Sequence, residues 1–156
     1  MTLLALVAGC TDGPSCTQQV PASKISAVDQ TQLQNDIVTI DNYLASKSIV
    51  ATVDPSGLRY VITKAGDDTR PCLEKQVIVK YAGRLLSGTG FDAAVNPVSF
   101  KLGDLVLGWQ IGFVNFGKGT KATLYIPSGF GYGESGSGTR IPPNSNLIFD
   151  IELISF

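Results

Sequence analysis

The sequence predicts an α+β fold, in which several antiparallel strands form a sheet and one short helix lies on one face of it. From residue 58 onward, short apolar or alternating runs are separated by glycine and proline, which is typical of strands joined by turns. Within that region, residues 105–113 are apolar at a looser spacing, which predicts one short helix. A chain of 156 residues with 44% hydrophobic content can bury one core of ordinary size. We therefore expect one domain with an N-terminal extension.

The first 24 residues have the composition of a targeting segment and a linker. Met1 to Cys10 form an apolar run that is too short to span a bilayer and that suits the core of a signal peptide. Its end, Val7-Ala8-Gly9-Cys10, resembles the bacterial lipoprotein box, in which the signal is cut before the cysteine and the thiol takes a lipid. This resemblance implies lipidation of Cys10 and a membrane-anchored place in a bacterial cell envelope, facing the periplasm or the exterior. An ordinary buried N-terminal segment is the alternative. Residues 11–24 are polar and contain two prolines, so we interpret them as a linker.

The three cysteines are Cys10, Cys16 and Cys72, and no two of them form a C-x-x-C pair. This spacing argues against a zinc knuckle or a thioredoxin-like motif. If Cys10 carries a lipid, an oxidising compartment would allow Cys16 and Cys72 to pair. The sequence leaves this disulfide and two free thiols as equal alternatives, because it cannot place the two Cα atoms within bridging distance.

A single amphipathic helix is predicted over residues 26–47, within an N-terminal unit at 25–50. Apolar residues recur there three to five positions apart, between polar ones: Val28, Leu33, Ile37, Ile40 and Leu44. This apolar face must pack either against the domain that follows or against the same helix of a second copy. The first option leaves a monomer and the second makes a dimer.

The main domain is expected to span residues 51–156. A turn cluster, Asp54-Pro55-Ser56-Gly57, precedes its first strand. Strands are predicted at residues 58–62, 76–81, 98–101, 122–126 and 147–154.

Charge and composition argue against several classes of function. Twelve basic and thirteen acidic side chains leave almost no net charge, and no run of Lys or Arg is present to bind nucleic acid. The chain has no histidine, which excludes Ser-His-Asp and Cys-His nucleophiles and imidazole metal sites. We expect neither a metal nor another cofactor. Residues 131–136 satisfy G-x-G-x-x-G, but a nucleotide-binding fingerprint must open a helix, and Pro142-Pro143 follow instead.

A series of linked motifs runs in order through residues 57–156. They are Val79-Lys80-Tyr81-Ala82-Gly83-Arg84-Leu85, Phe91-Asp92, Pro97 to Phe100 with Leu102-Gly103, Gly108-Trp109, Ile126-Pro127, Gly131-Tyr132-Gly133, Ile141-Pro142-Pro143-Asn144 and Leu147 to Leu153. Each motif is weak alone, but their order and spacing resemble the FKBP-type peptidyl-prolyl cis-trans isomerases. The resemblance implies a strongly bent antiparallel sheet wrapped around one short helix, with an aromatic pocket between them.

The same resemblance implies which residues form the site. The catalytic set would be Tyr81, Phe91, Asp92, Trp109, Tyr132 and Phe149, and substrate would also contact Phe100, Leu105, Val106 and Ile141. Trp109 would form the pocket floor, and the Tyr132 hydroxyl would donate to a substrate carbonyl. Asp92 would accept a hydrogen bond from Tyr81, and the main-chain N–H of Ile141 would donate to ligand carbonyls.

Such a site suits rotation about an X-Pro bond, whose barrier of roughly 18–20 kcal/mol arises from amide resonance. The reaction needs no nucleophile, metal or proton relay, and an apolar cavity favours the twisted amide because that state has less charge separation. The implied partners are proline-containing polypeptides during folding or export, with macrolides as possible inhibitors. The alternative is a non-catalytic module of the same fold that binds proline segments or acts as a chaperone.

The chain departs from the family pattern near the pocket. Residues 93–96 contain no basic partner for Asp92, Ser137 replaces a frequent histidine, and Arg140 occupies a commonly apolar position. These changes imply altered macrolide affinity and sequence preference without loss of isomerisation. We interpret the glycine-rich stretch at 129–138 as a mobile loop over the pocket mouth.

Overall fold

The computed structural model describes residues 16–156, so Cys10 and its lipoprotein-like segment lie outside the described residues. The helices are Ala22–Ser26 (α1), Gln30–Ser46 (α2) and Leu107–Phe113 (α3). The strands are Thr52–Val53 (β1), Arg59–Lys64 (β2), Gln76–Leu85 (β3), Gly90–Lys101 (β4), Lys121–Ile126 (β5) and Leu147–Ser155 (β6). All pairings are antiparallel, in the order β1-β2-β5-β6-β3-β4. The predicted α+β fold is confirmed.

Strand β4 is much longer than the sequence predicted. It begins at Gly90, whereas the pattern indicated only residues 98–101. The reason is an irregularity in its pairing with β3: Val79 faces Val98 and Tyr81 faces Ala94, so three residues, 95–97, stand opposite Lys80 alone and two of them are extra. Bulges of this kind bend a strand, and Pro97 is tolerated because β4 is an edge strand. The bend occurs next to Tyr81.

Helices cover both faces of the sheet. On one face, Ile40 and Leu44 of α2 pack against Tyr125 and Ile148. The neighbouring residues of β5 and β6 point to the opposite face, because side chains alternate along a strand, and there they contact α3. Gly108 permits this approach, since a Cβ at that position would lie 2.6 Å from the side chain of Ile126.

Helix α2 is fixed to its own domain by buried polar groups as well as by apolar contacts. The Asp36 carboxylate is 3% exposed and accepts hydrogen bonds from the main-chain N–H and the hydroxyl of Ser128. Asp41 accepts two hydrogen bonds from the guanidinium of Arg59, at 2.8 and 2.9 Å. The apolar face of α2 therefore packs within the chain. Among residues 16–156, no helix combines the length and apolarity needed to cross a bilayer.

The residues before α1 also contact the domain. Cys16 and Cys72 form a disulfide with their Cα atoms 5.1 Å apart, which is one of the two alternatives that the sequence left open. Next to it, the N–H of Thr17 donates to Glu74 Oε2, and the carbonyl of Thr17 accepts from the N–H of Leu73. Within the stretch that the sequence assigned to a linker, residues 16 and 17 are thus tied to residues 72–74, which lie just before β3.

Candidate functional site

A cavity of about 280 Å³ opens between the bent strands β3 and β4, strand β6 and helix α3. It is lined by Tyr81, Asp92, Phe100, Asp104, Leu105, Val106, Trp109, Tyr132 and Phe149. All of the predicted site residues except Phe91 and Ile141 are in this lining. Asp104, which the sequence did not single out, is an addition at the end of a 3-10 turn.

Trp109 forms the floor of the cavity and is only 4% exposed. Its ring lies 5.2 Å from that of Tyr81 and 5.2 Å from that of Phe149, both nearly perpendicular, and 5.0 Å from Phe113. Edge-to-face contacts of this kind hold aromatic rings in fixed orientations. The indole N–H finds no hydrogen-bond partner among the described residues. The floor is therefore rigid and predominantly apolar.

Tyr81 and Asp92 form the polar edge of the cavity. The two residues lie on the paired strands β3 and β4, and the Tyr81 hydroxyl donates to Asp92 Oδ2 at 2.7 Å. Burial, and secondly this hydrogen bond, raise the pKa of Tyr81 to about 12. Tyr81 is therefore a neutral hydrogen-bond donor at physiological pH, and it orients the carboxylate at the pocket wall.

Phe91 supports the cavity from behind. Its ring contacts Phe149 edge to face at 5.4 Å, and it is 7% exposed. Gly83 makes room for this pair, because a Cβ there would lie within 2.6–2.7 Å of both rings. Phe91 thus supports Phe149, and it lines a neighbouring groove together with Asp92 and Tyr132 rather than this cavity.

The main-chain donor expected at Ile141 is already engaged. Its N–H donates to the carbonyl of Ser137 at 3.1 Å, and the N–H of Ser137 donates back at 2.8 Å. A free donor exists instead at Val106, which lines the cavity and whose N–H makes no hydrogen bond within residues 16–156. Val106 is the N-cap of α3, and the first N–H groups of a helix have no partner within it. The sequence could have indicated the Val106 N–H as a free donor, because Val106 lies in the first turn of the helix predicted at 105–113.

Tyr132 stands at the cavity mouth and is 39% exposed. It lies in the glycine-rich loop, whose path requires positive φ at Gly133, Gly136 and Gly138. A side chain at Gly136 would place its Cβ 2.3 Å from the carbonyl oxygen of Ile141, so the turn needs glycine. The loop thereby presents the Tyr132 ring at the rim of the cavity.

The arrangement can hold a small apolar ring on the Trp109 indole and offer donors around it. Val106, with its free N–H, and Tyr132, with its phenol, both line the cavity. Within the described part of the chain, no three His, Cys, Asp or Glu side chains are grouped as metal ligands would be. The chemistry that this geometry supports is binding and distortion of an apolar guest.

Comparisons with known proteins agree with this geometry. The family model for FKBP-type peptidyl-prolyl cis-trans isomerase matches residues 67–154. The chain is 42% identical over 113 residues to the probable FKBP-type peptidyl-prolyl cis-trans isomerase FkpA of Neisseria meningitidis. The aligned residues cover 70% of this chain and 41% of that protein. It is 40% identical over 102 residues to Escherichia coli FkpA, covering 64% of this chain and 37% of that protein. The chain thus spans less than half the length of these two curated relatives.

Solved structures give the same result. A Pseudomonas syringae peptidyl-prolyl cis-trans isomerase superposes with a TM-score of 0.69 at 30% identity, covering 81% of this chain and 93% of that one. The crystal structure of E. coli FkpA gives a TM-score of 0.70 at 31% identity, covering 86% and 63%. The matched fold, the matched motifs and the aromatic cavity together show that this chain belongs to the FKBP-type peptidyl-prolyl cis-trans isomerase family.

Proposed function

We propose that the chain catalyses cis-trans rotation of X-Pro bonds in polypeptides. The observation that carries this proposal is the aromatic cavity above Trp109, which is of a size to take a proline ring and is bordered by hydrogen-bond donors. Three of its walls are the aromatic rings of Tyr81, Phe100 and Phe149.

Catalysis follows from what the cavity favours. A planar amide is polar because of resonance, and this polarity decreases as the bond twists. A site that replaces water by aromatic rings therefore disfavours the planar state relative to the twisted one. With the proline ring on Trp109, the Val106 N–H and the Tyr132 hydroxyl would hold the carbonyls on either side. Each tenfold acceleration requires about 1.4 kcal/mol of such differential stabilisation.

The polar edge serves the same reaction. Tyr81 stays protonated because its pKa is about 12, so its hydroxyl continues to hold Asp92 at every physiological pH. This hydrogen bond fixes the wall against which the twisting carbonyl turns. Macrolides that imitate a twisted proline amide would compete for the same cavity.

The test is a proline-peptide isomerisation assay on the full chain, followed by protease coupling or by NMR exchange. The wild type is expected to accelerate the slow phase, and Trp109→Leu to lower kcat/KM by about tenfold or more, which corresponds to roughly 1.4 kcal/mol. A chain that binds the peptide yet leaves the slow phase unchanged would contradict the proposal and favour the non-catalytic binding module.

We also propose that the protein acts on exported polypeptides in a bacterial cell envelope, anchored through a lipid on Cys10. The Cys16–Cys72 disulfide supports an oxidising compartment, because such bonds are rare in reducing ones. Since the apolar face of α2 is covered by its own domain, we take the monomer as the acting unit. The test is incorporation of a labelled fatty acid into the wild type and into Cys10→Ser. Label in the wild type that is lost in the variant would support the anchor, and equal labelling of the two proteins would contradict it.

A further inference from the structure

A second groove adjoins the aromatic cavity. It has a volume of about 350 Å³, and it shares Asp92 and Tyr132 with that cavity. Its other wall is the segment 137–141, which includes Arg140. Because consecutive Cα atoms are about 3.8 Å apart, a residue next to a proline seated on Trp109 can place its side chain in this groove.

Arg140 is anchored but keeps most of its donors free. One guanidinium nitrogen, Nη1, donates to the carbonyl of Phe91 at 3.1 Å, which holds the side chain across the groove. The main chain beneath it is fixed by the two hydrogen bonds between Ser137 and Ile141. A guanidinium carries five N–H donors in a planar fork that suits carboxylates. Most of that fork is left for a ligand.

The positive charge of Arg140 is not matched by an ion pair. No Asp or Glu oxygen within residues 16–156 lies within 4.0 Å of its guanidinium, and the three ion pairs there involve Arg59, Arg84 and Lys121 instead. The one carboxylate in the groove lining is Asp92, which accepts the hydrogen bond from Tyr81. Within residues 16–156, Arg140 is therefore a cation beside the cavity that has no carboxylate partner.

We propose that Arg140 is a specificity-determining residue that selects substrates with a carboxylate side chain, Glu or Asp, adjacent to the proline. This inference rests on the proposed isomerase activity and names the substrate class of the same site. The ion pair would form at the edge of the groove, where such pairs are partly screened by water. The corresponding preference for Glu over Gln is about two- to fivefold in kcat/KM.

The experiment measures kcat/KM for matched peptides that carry Glu, Gln or Lys immediately before the proline, and for a second set that carries them immediately after it. In at least one set the wild type is expected to favour Glu over Gln by about two- to fivefold, with the ratio approaching one in 0.5 M salt. Arg140→Gln should bring that ratio to about one, Arg140→Lys should keep it above one, and Arg140→Glu should reverse it in favour of Lys. Circular dichroism of each variant checks the fold.

Two results would overturn the inference. One is a wild-type ratio of one or below in both peptide sets. The other is an equal loss for Glu and Gln peptides in Arg140→Gln, which would mean that Arg140 supports the loop or Asp92 rather than a substrate carboxylate. Peptide affinities, followed by the fluorescence of Trp109, the sole tryptophan, give the same ratios without turnover. Absence of turnover with an intact Glu preference in binding would contradict the isomerase proposal alone.

Discussion

Gln110 connects the pocket wall to the N-terminal segment, and its substitution tests whether that connection shapes the cavity. Its amide Nε2 donates to the carbonyls of Gly103 and Leu105, at 3.1 and 2.7 Å. Its Oε1 accepts from Lys24 Nζ at 3.2 Å. The side chain is 5% exposed, so water cannot easily replace these partners. Gln110→Met keeps the length of the side chain and removes all three hydrogen bonds.

The expected cost follows from those contacts. A hydrogen bond contributes about 1 kcal/mol net, and a carbonyl left without a partner in a half-buried place costs more. Gln110→Met should therefore lower the free energy of unfolding by about 2–3 kcal/mol in urea titrations. For a chain of this size the melting temperature should fall by about 5–10 °C. Because Leu105 lines the cavity, the KM for a proline peptide should rise more than kcat falls.

Lys24→Met is the matched control, since it removes only the most exposed of the three contacts. It should lower the free energy of unfolding by no more than about 1 kcal/mol. The reasoning is refuted if Gln110→Met is as stable as the wild type, or if Lys24→Met costs as much as Gln110→Met. A stability loss with an unchanged KM would show that Gln110 holds the fold without shaping the pocket.

Three further predictions concern other parts of the chain. Cys16→Ser removes a crosslink between positions 56 residues apart and should lower the free energy of unfolding by about 2–4 kcal/mol. A reductant should destabilise the wild type by a similar amount and leave the stability of the variant unchanged. Ultraviolet titration should show Tyr81 ionising near pH 12, a step that Asp92→Asn lowers only partly because burial is the larger cause. Since that folded pKa lies above the unfolded value near 10, the stability that Tyr81 contributes is intact below about pH 10 and is lost between about 10 and 12. Asp36→Ala leaves the N–H and hydroxyl of buried Ser128 without this partner and should lower the free energy of unfolding by about 3 kcal/mol in urea titrations. Asp41→Ala should cost about 2 kcal/mol, because Asp41 itself is half exposed but its loss leaves the buried Arg59 guanidinium with the Gly57 carbonyl as its remaining acceptor among the described residues.

The sequence predicts the sheet and most of the pocket because both follow from short-range patterns. Alternating apolar runs mark the central strands, and the residues at 81, 109, 132 and 149 are each embedded in a motif of fixed spacing. The beginning of β4 escapes prediction because Ala93, Ala94 and Pro97 have little strand propensity, and pairing with β3 imposes the strand there. The short strand β1 escapes it for a similar reason, since two residues are too few to form a pattern.

Long-range polar contacts are the part of the site that the sequence does not reveal. Gln110 lies in the middle of an apolar motif, and nothing local indicates that its amide reaches two carbonyls of the preceding turn. In the same way, the bond between Ser137 and Ile141 occupies the N–H that the resemblance assigned to substrate. A motif specifies which side chains are present, but the hydrogen-bond state of the main chain depends on how a loop closes.

The N-terminal segment and the pocket are coupled through contacts that lie on both sides of the 3-10 turn at Leu102–Asp104. On one side, Leu73 donates to Thr17 and accepts from Gly103 at 2.7 Å, directly beside the disulfide of Cys72. On the other side, Gln110 joins the same turn to Lys24. The wall that carries Leu105 and Val106 is thus held by residues that lie before the matched family region begins at 67. Residues 16–24, which the sequence assigned to a linker, therefore support the site. Their removal should loosen the cavity before it unfolds the sheet.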